Sequence, residues 1–304
     1  MKKWKRILAV ILCLLCVQVP VISETGTVQV QAAAVKTGLK KENGKYYYYV
    51  KGKKVKNVWK SVNKTSNGKK ITYRYYFGKD GAAYAGKKVN GVTKPALKKI
   101  SGSYYAFDSL GRMMKGTYVV NGVYRTFSSS TGKMTGLVKE NGKYYYYVGA
   151  KKAVNTFKTV KIQGSGKKVY SIKYYFGKSG AAYQGKYDMF GTNVPTVKKI
   201  GSYYYGFNAS ARMINGIYVI NDKFYAFASN GRLNMTTTNK LRAAAKEKAN
   251  ASTLRKLLGK PQKTITSDSC YGDGKDLLLY YSRFIVSLFK DKNGKEIVLG
   301  VMSR

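Results

Sequence analysis

Histidine is absent from this 304-residue sequence, cysteine occurs three times, proline four times, and 13 Asp+Glu face 57 Lys+Arg. Each shortage excludes something. Without histidine there is no Ser-His or Cys-His nucleophile activation, and the commonest metal ligand is missing. Two carboxylates would suffice for a glycosidase. Glu42 and Glu140, however, precede turns at equivalent places, and Asp268, Asp273 and Asp276 crowd one loop without calcium- or zinc-site spacing. Turn formation accounts for them. No phosphate-cradling glycine loop or cofactor fingerprint occurs, so the expectation is a chain with no catalysis, no metal and no cofactor.

Long apolar runs are scarce as well. One stands out, Ile7 to Cys16, behind Lys2, Lys3, Lys5 and Arg6 and ahead of Ala32-Ala33-Ala34. A charged start, a short apolar core and an A-x-A-like site predict a secretory signal peptide over residues 1–34. The run is too short to span a bilayer comfortably, so no transmembrane segment is expected after cleavage. Cys13 and Cys16 would leave with it. Cys270 then stands alone, in the loop Asp268–Gly274, either as a free or intermolecularly paired thiol or as a buried inert one. An exported protein of small units without disulfides must draw stability from elsewhere.

What is abundant is positive charge. The whole chain carries +44; Lys2, Lys3, Lys5, Arg6 and Glu24 contribute three of these, leaving +41 beyond residue 34. Solubility needs several-fold less. Such a balance opposes compaction and attracts polyanions at long range. For an exported chain the candidates are teichoic acids, acidic polysaccharide, anionic headgroups or extracellular DNA, with nucleic acid the least expected.

Repetition is equally plain. Thr37-Gly38-Leu39-Lys40-Lys41-Glu42-Asn43-Gly44-Lys45 with Tyr46 to Tyr49 returns 98 residues later as Thr135-Gly136-Leu137-Val138-Lys139-Glu140-Asn141-Gly142-Lys143 with Tyr144 to Tyr147. Tyr75-Tyr76-Phe77-Gly78-Lys79 answers Tyr174-Tyr175-Phe176-Gly177-Lys178, and Pro95 answers Pro195. Two long units follow, residues 35–135 and 136–235. Within each, Asn-Gly or Gly-Ser turns lead into aromatic clusters, as in Asn43-Gly44, Gly102-Ser103 and Asn121-Gly122. Asn-Gly between short apolar runs is the strongest local hairpin signal. The pattern predicts four hairpins per unit, starting near Gly38, Trp59, Gly86 and Gly116, then near Gly136, Phe157, Gly185 and Gly216. Stacked hairpins cover one another's aromatic faces, so stability grows by neighbour contacts. The fold class expected is mainly β, a β-hairpin solenoid of repeats followed by a small α+β domain.

The segments Lys40 to Tyr49 and Tyr75 to Gly86 resemble the cell-wall-binding repeats of Gram-positive surface proteins, a family that includes choline-binding and glucan-binding modules. The resemblance covers about two-thirds of the chain. It implies a hairpin solenoid that retains proteins on wall teichoic acid, choline or α-glucan. Choline is held in that family between aromatic faces by cation–π attraction. Here the family's Gly-Trp tryptophan positions read Leu39, Trp59, Lys87, Thr117, Leu137, Phe157, Lys186 and Ile217, and the first aromatic positions include Arg74 and Lys173. Choline cages are therefore expected to be dismantled. What replaces them is lysine: Lys53-Lys54, Lys98-Lys99, Lys151-Lys152 and Lys198-Lys199 recur at corresponding places. They read as basic ridges, or as protection of strand edges. The candidate ligand-binding residues are Trp59, Tyr46, Tyr104, Tyr144, Phe157 and those eight lysines. Alternation along a strand should bury about half of each tyrosine cluster.

After Met235 the composition changes. Thr236–Asn239 reads as a linker with a helix cap, Lys240 to Ala251 as a helix, and Ser252 as the cap of a second helix over Thr253 to Leu258. Leu277 to Tyr281, Phe284 to Phe289 and Ile297 to Met302 read as strands, making a small α+β domain over 240–304. Leu257-Leu258-Gly259-Lys260-Pro261, Tyr280-Tyr281 and an Asn-Gly hairpin are similar to the β-lactamase-inhibitor-like fold shared with small outer-membrane assembly lipoproteins. That resemblance implies a role in protein interaction. Together these readings predict a secreted, non-catalytic surface protein held on an anionic cell-wall polymer or polysaccharide. The rival is a secreted inhibitor or adhesin acting on a protein partner through its C-terminal domain.

Overall fold

A computed structural model describes residues 35–304; the expected signal peptide lies outside them. The first unit forms five antiparallel hairpins: Gly38–Glu42 with Lys45–Val50, Val58–Ser66 with Lys69–Phe77, Lys87–Val89 with Val92–Lys94, Ala96–Ile100 with Ser103–Phe107, and Gly116–Val120 with Val123–Phe127. The second repeats them: Met134–Glu140 with Lys143–Val148, Thr156–Gln163 with Val169–Phe176, Lys186–Tyr187 with Asn193–Val194, Thr196–Ile200 with Tyr203–Phe207, and Gly216–Ile220 with Lys223–Phe227.

Asn43-Gly44, Asn67-Gly68, Asn90-Gly91, Asn121-Gly122 and Asn141-Gly142 all turn with both residues at positive φ, near +50° for Asn and +71° to +79° for Gly. That is the backbone a two-residue hairpin turn requires. Four hairpins per unit were expected and five are found. The segment from Gly86 divides in two because Pro95, lacking an N–H, interrupts strand pairing between Lys94 and Ala96. The two pieces press together at Gly86, where a Cβ would collide with the Lys94 and Phe107 carbonyls; Gly185 repeats this against Val194 and Phe207.

Loops stitch each hairpin to its predecessor. After Phe77 the chain bridges Phe77 through Ala83 and Tyr47 through Ala82, and Ala83 N donates to Tyr46 O at 2.8 Å. The second unit repeats the bridges with Phe176–Ala182 and Tyr145–Ala181. Further along, Met113 N donates to Arg74 O and Met213 N to Lys173 O. Coupling of this kind stabilises a repeat array in the absence of disulfides. Three of the five hairpins in each unit close on a buried phenylalanine: Phe77, Phe107, Phe127, Phe176, Phe207 and Phe227. At the seam between units, Met134–Glu140 pairs with both Val123–Phe127 and Lys143–Val148, so one seven-stranded sheet crosses it.

The growth of the repeat offset to 100 at Pro195 has two sources. One is the longer turn around Ser165–Lys167. The other is the loop Asp188–Thr192, one residue longer than its counterpart, whose tip exposes Met189 and Phe190. Asp188 Oδ1 holds it by accepting from Phe190 N and Thr192 N.

The C-terminal segment has helices α1, Met235–Ala244, and α2, Ala251–Leu258. A four-stranded antiparallel sheet follows, Lys263–Asp268, Gly274–Tyr280, Phe284–Asp291 and Glu296–Ser303. Several expectations are corrected. Thr236–Asn239 is not a linker but the start of α1, capped by Asn234, which accepts from Thr237 N at 2.9 Å. Asn250, not Ser252, caps α2. The strand Lys263–Asp268 went unread because it is exposed throughout and shows no alternation. The last hairpin also belongs to this core. Val219, Phe224 and Ala226 pack with Leu241, Leu254, Leu279 and Val286, and Thr238 Oγ1 accepts from Ala226 N. Cys270 is exposed, which removes the buried alternative.

Candidate ligand-binding surface

The two aromatic positions that match the family's tryptophan place sit in equivalent boxes. Trp59 is half-buried, its ring centroid 4.9 Å from Tyr105, 5.2 Å from Tyr76 and 5.9 Å from Phe107. Phe157 lies 4.8 Å from Tyr175 and 5.1 Å from Tyr205. Each box contains a resident cation. The Arg74 guanidinium lies 4.7 Å from the Trp59 ring, and Lys173 Nζ lies 6.0 Å from Phe157. These hairpins supply their own cations to the faces that would attract one from outside.

Each four-tyrosine cluster buries one ring in place of the expected half. Tyr49 and Tyr147 are buried, while Tyr46 and Tyr144 are half-buried beneath Lys41 and Lys139, at 5.8 and 5.2 Å. Tyr104 is buried at the seam, and its hydroxyl donates to Glu140. Three of the four lysine pairs divide into one ion-paired and one unpaired member, because successive strand residues face opposite ways. Lys54 lies 3.4 Å from the Tyr47 ring and 3.1 Å from Glu42; Lys152 lies 3.6 Å from Tyr145 and 3.7 Å from Glu140. Lys99 donates to Glu140 at 2.9 Å. Their neighbours Lys53, Lys98 and Lys151, with Lys198 and Lys199, are exposed and have no carboxylate at ion-pair distance among the described residues.

Glu42 and Glu140 are therefore structural knots. Glu42 accepts from Lys36 at 2.7 Å and from the Tyr49 hydroxyl at 2.8 Å. The Lys36, Tyr49 and Lys54 hydrogen bonds hold its carboxyl down at about 2. At Glu140 burial alone would raise the carboxyl; donation by Tyr104, Lys99 and Tyr147 outweighs it and brings it to about 2. Lys99 is pushed up in turn, chiefly by its bond to Glu140.

Seven basic side chains make ion pairs among the described residues: Lys36, Lys54, Lys99, Arg112, Lys152, Arg255 and Lys275. The rest of the excess is uncompensated. Tyr104 and Tyr144 also meet in the wall of a seam cavity of about 530 Å³, beside Arg125, Lys139, Tyr174 and Arg212. Those four were not among the expected site residues. The signal available was the repeat itself, since Arg125 occupies a tyrosine position.

No family profile matches the chain, and no curated protein matches it. Solved structures do. CbpF in complex with ipratropium is 22% identical, with 66% of this chain and 54% of that one covered and a TM-score of 0.26. Choline binding protein F from Streptococcus pneumoniae is 16% identical over 86% of each chain, TM-score 0.24. CbpJ from Streptococcus pneumoniae TIGR4 is 15% identical over 86% of this chain and 94% of that one, TM-score 0.23. The chain thus spans about half the length of the first. Scores this low fix neither a ligand nor an activity for this protein.

Proposed function

We propose that this is a secreted, non-catalytic cell-surface protein, retained on anionic envelope polymers by its basic, tyrosine-rich hairpins. The observation that carries the reading is the charge left over once every internal pair is counted. Lys53, Lys98, Lys151, Lys198 and Lys199 stand exposed on the first and fourth hairpins of the two units with no carboxylate at ion-pair distance among the described residues. Lysine meets phosphate as a point charge, so retention of this kind is broad in specificity and sensitive to salt. The occupied aromatic boxes weigh against choline as the ligand.

The test is competition. Protein bound to immobilised teichoic acid should be displaced by soluble teichoic acid and by polyphosphate, and left in place by neutral α-glucan. Displacement by glucan alone would move the reading to carbohydrate stacking on tyrosines.

A further inference from the structure

Four hairpins share one pattern in their second strand: Ser103-Tyr104-Tyr105-Ala106-Phe107, Val123-Tyr124-Arg125-Thr126-Phe127, Tyr203-Tyr204-Tyr205-Gly206-Phe207 and Lys223-Phe224-Tyr225-Ala226-Phe227. The central position is tyrosine in three and arginine in one. Arg125 is only 6% exposed and has no carboxylate partner among the described residues. Its Nε donates to Leu137 O at 2.9 Å and its Nη1 to the Val120 carbonyl. Among the described residues its Nη2 makes no hydrogen bond. Gly136 makes room for it, since a Cβ there would meet Arg125 Cγ at 2.9 Å. Burial pushes the guanidinium down to about 10, so it is still a cation at neutral pH. A buried cation without a counter-charge is destabilising, and an arriving anion would relieve it.

The cavity beside it, about 530 Å³, is lined by no acidic side chain. Lys139 and Arg212 add two exposed cations to its wall, and Tyr104, Tyr144 and Tyr174 add rings. We propose that this seam cavity is a specific site for a phosphate ester of a polyol or sugar. Arg125, Lys139 and Arg212 take the phosphate, and the half-buried Tyr144 ring takes the carbon face of the polyol. The guanidinium fork suits phosphate geometry as lysine does not. The inference deepens the polyanion reading and rests on it: exposed lysines hold a polymer by charge along the hairpins, and the seam reads one of its repeating groups.

The experiment is calorimetric titration of residues 35–304 with sn-glycerol 1-phosphate, with glycerol and inorganic phosphate as separate arms. Saturable one-to-one binding of the ester, tighter than inorganic phosphate, with none for glycerol, is expected. Arg125→Tyr, which restores the residue its sister hairpins carry, should weaken binding about tenfold or more, as loss of charge-assisted hydrogen bonds does. Arg212→Gln and Lys139→Gln alter exposed side chains and keep the test open should Arg125→Tyr not fold; each should weaken binding several-fold. No saturable binding, equal affinity for inorganic phosphate, or variants within about twofold of wild type would overturn the site. Sedimentation with walls separates the two readings. Retention on walls without a seam site leaves charge-based anchoring standing, and a seam site in a protein that ignores walls does the reverse.

Discussion

Glu140→Gln is the most informative single change. The carboxylate joins two hairpins across the seam, accepting from Tyr104 and Lys99 on one side and from the Tyr147 hydroxyl, at 3.0 Å, on the other. A carboxyl held at about 2 in place of 4.5 is worth at most about 3 kcal/mol. Its side chain is 21% exposed, so solvent screening reduces the expected loss to about 1–2 kcal/mol. Because the folded value lies below the unfolded one, this stability is fully present above about pH 4.5 and drains away as the pH falls towards about 2. The assay is urea unfolding followed by Trp59, the one tryptophan among the described residues. The variant's midpoint should fall at neutral pH and converge on wild type near pH 2. A neutral-pH loss below about 0.3 kcal/mol, or a gap that ignores pH, would refute the knot.

Other outcomes follow from the same geometry. Arg74→Ala should uncover the Trp59 ring, so that choline quenches its fluorescence in the variant and leaves wild type unchanged; quenching in wild type would mean that the box is open. Phe224→Ala should cost about 3–5 kcal/mol, because the ring is 1% exposed and meets Phe284 edge-on at 5.3 Å; hydrogen exchange should rise in the last hairpin and the C-terminal sheet together. The lysine pairs should separate in mutagenesis. Lys53, Lys98 and Lys151 changed to Gln should lower retention on walls at constant urea midpoint, whereas Lys99→Gln should lower the midpoint.

The turns were legible in sequence because Asn-Gly has few other uses: both residues tolerate the positive φ that a tight hairpin imposes. The aromatic repeat was legible for the same local reason, with a buried phenylalanine closing three hairpins in each unit. Features that depend on a partner in space were not. Pro95 splits one expected hairpin into two, and the close approach of the pieces at Gly86 shows only in three dimensions. Thr236–Asn239 resembles a linker until Ala226 offers its N–H to Thr238. Cutting the chain after Asn234 would therefore strip cover from Val219, Phe224 and Ala226. The lysine pairs look alike in sequence, but alternation sends Lys99 to Glu140 and leaves Lys98 without a carboxylate among the described residues, although both are exposed. Arg125 was readable against its three sister tyrosines, yet its meaning needed the cavity.

The most direct test of the account is sedimentation of residues 35–304 with purified Gram-positive walls, intact or stripped of teichoic acid, across a salt series. Retention that disappears on stripping and declines as salt rises is the predicted result. Retention indifferent to both would contradict anchoring by exposed lysines.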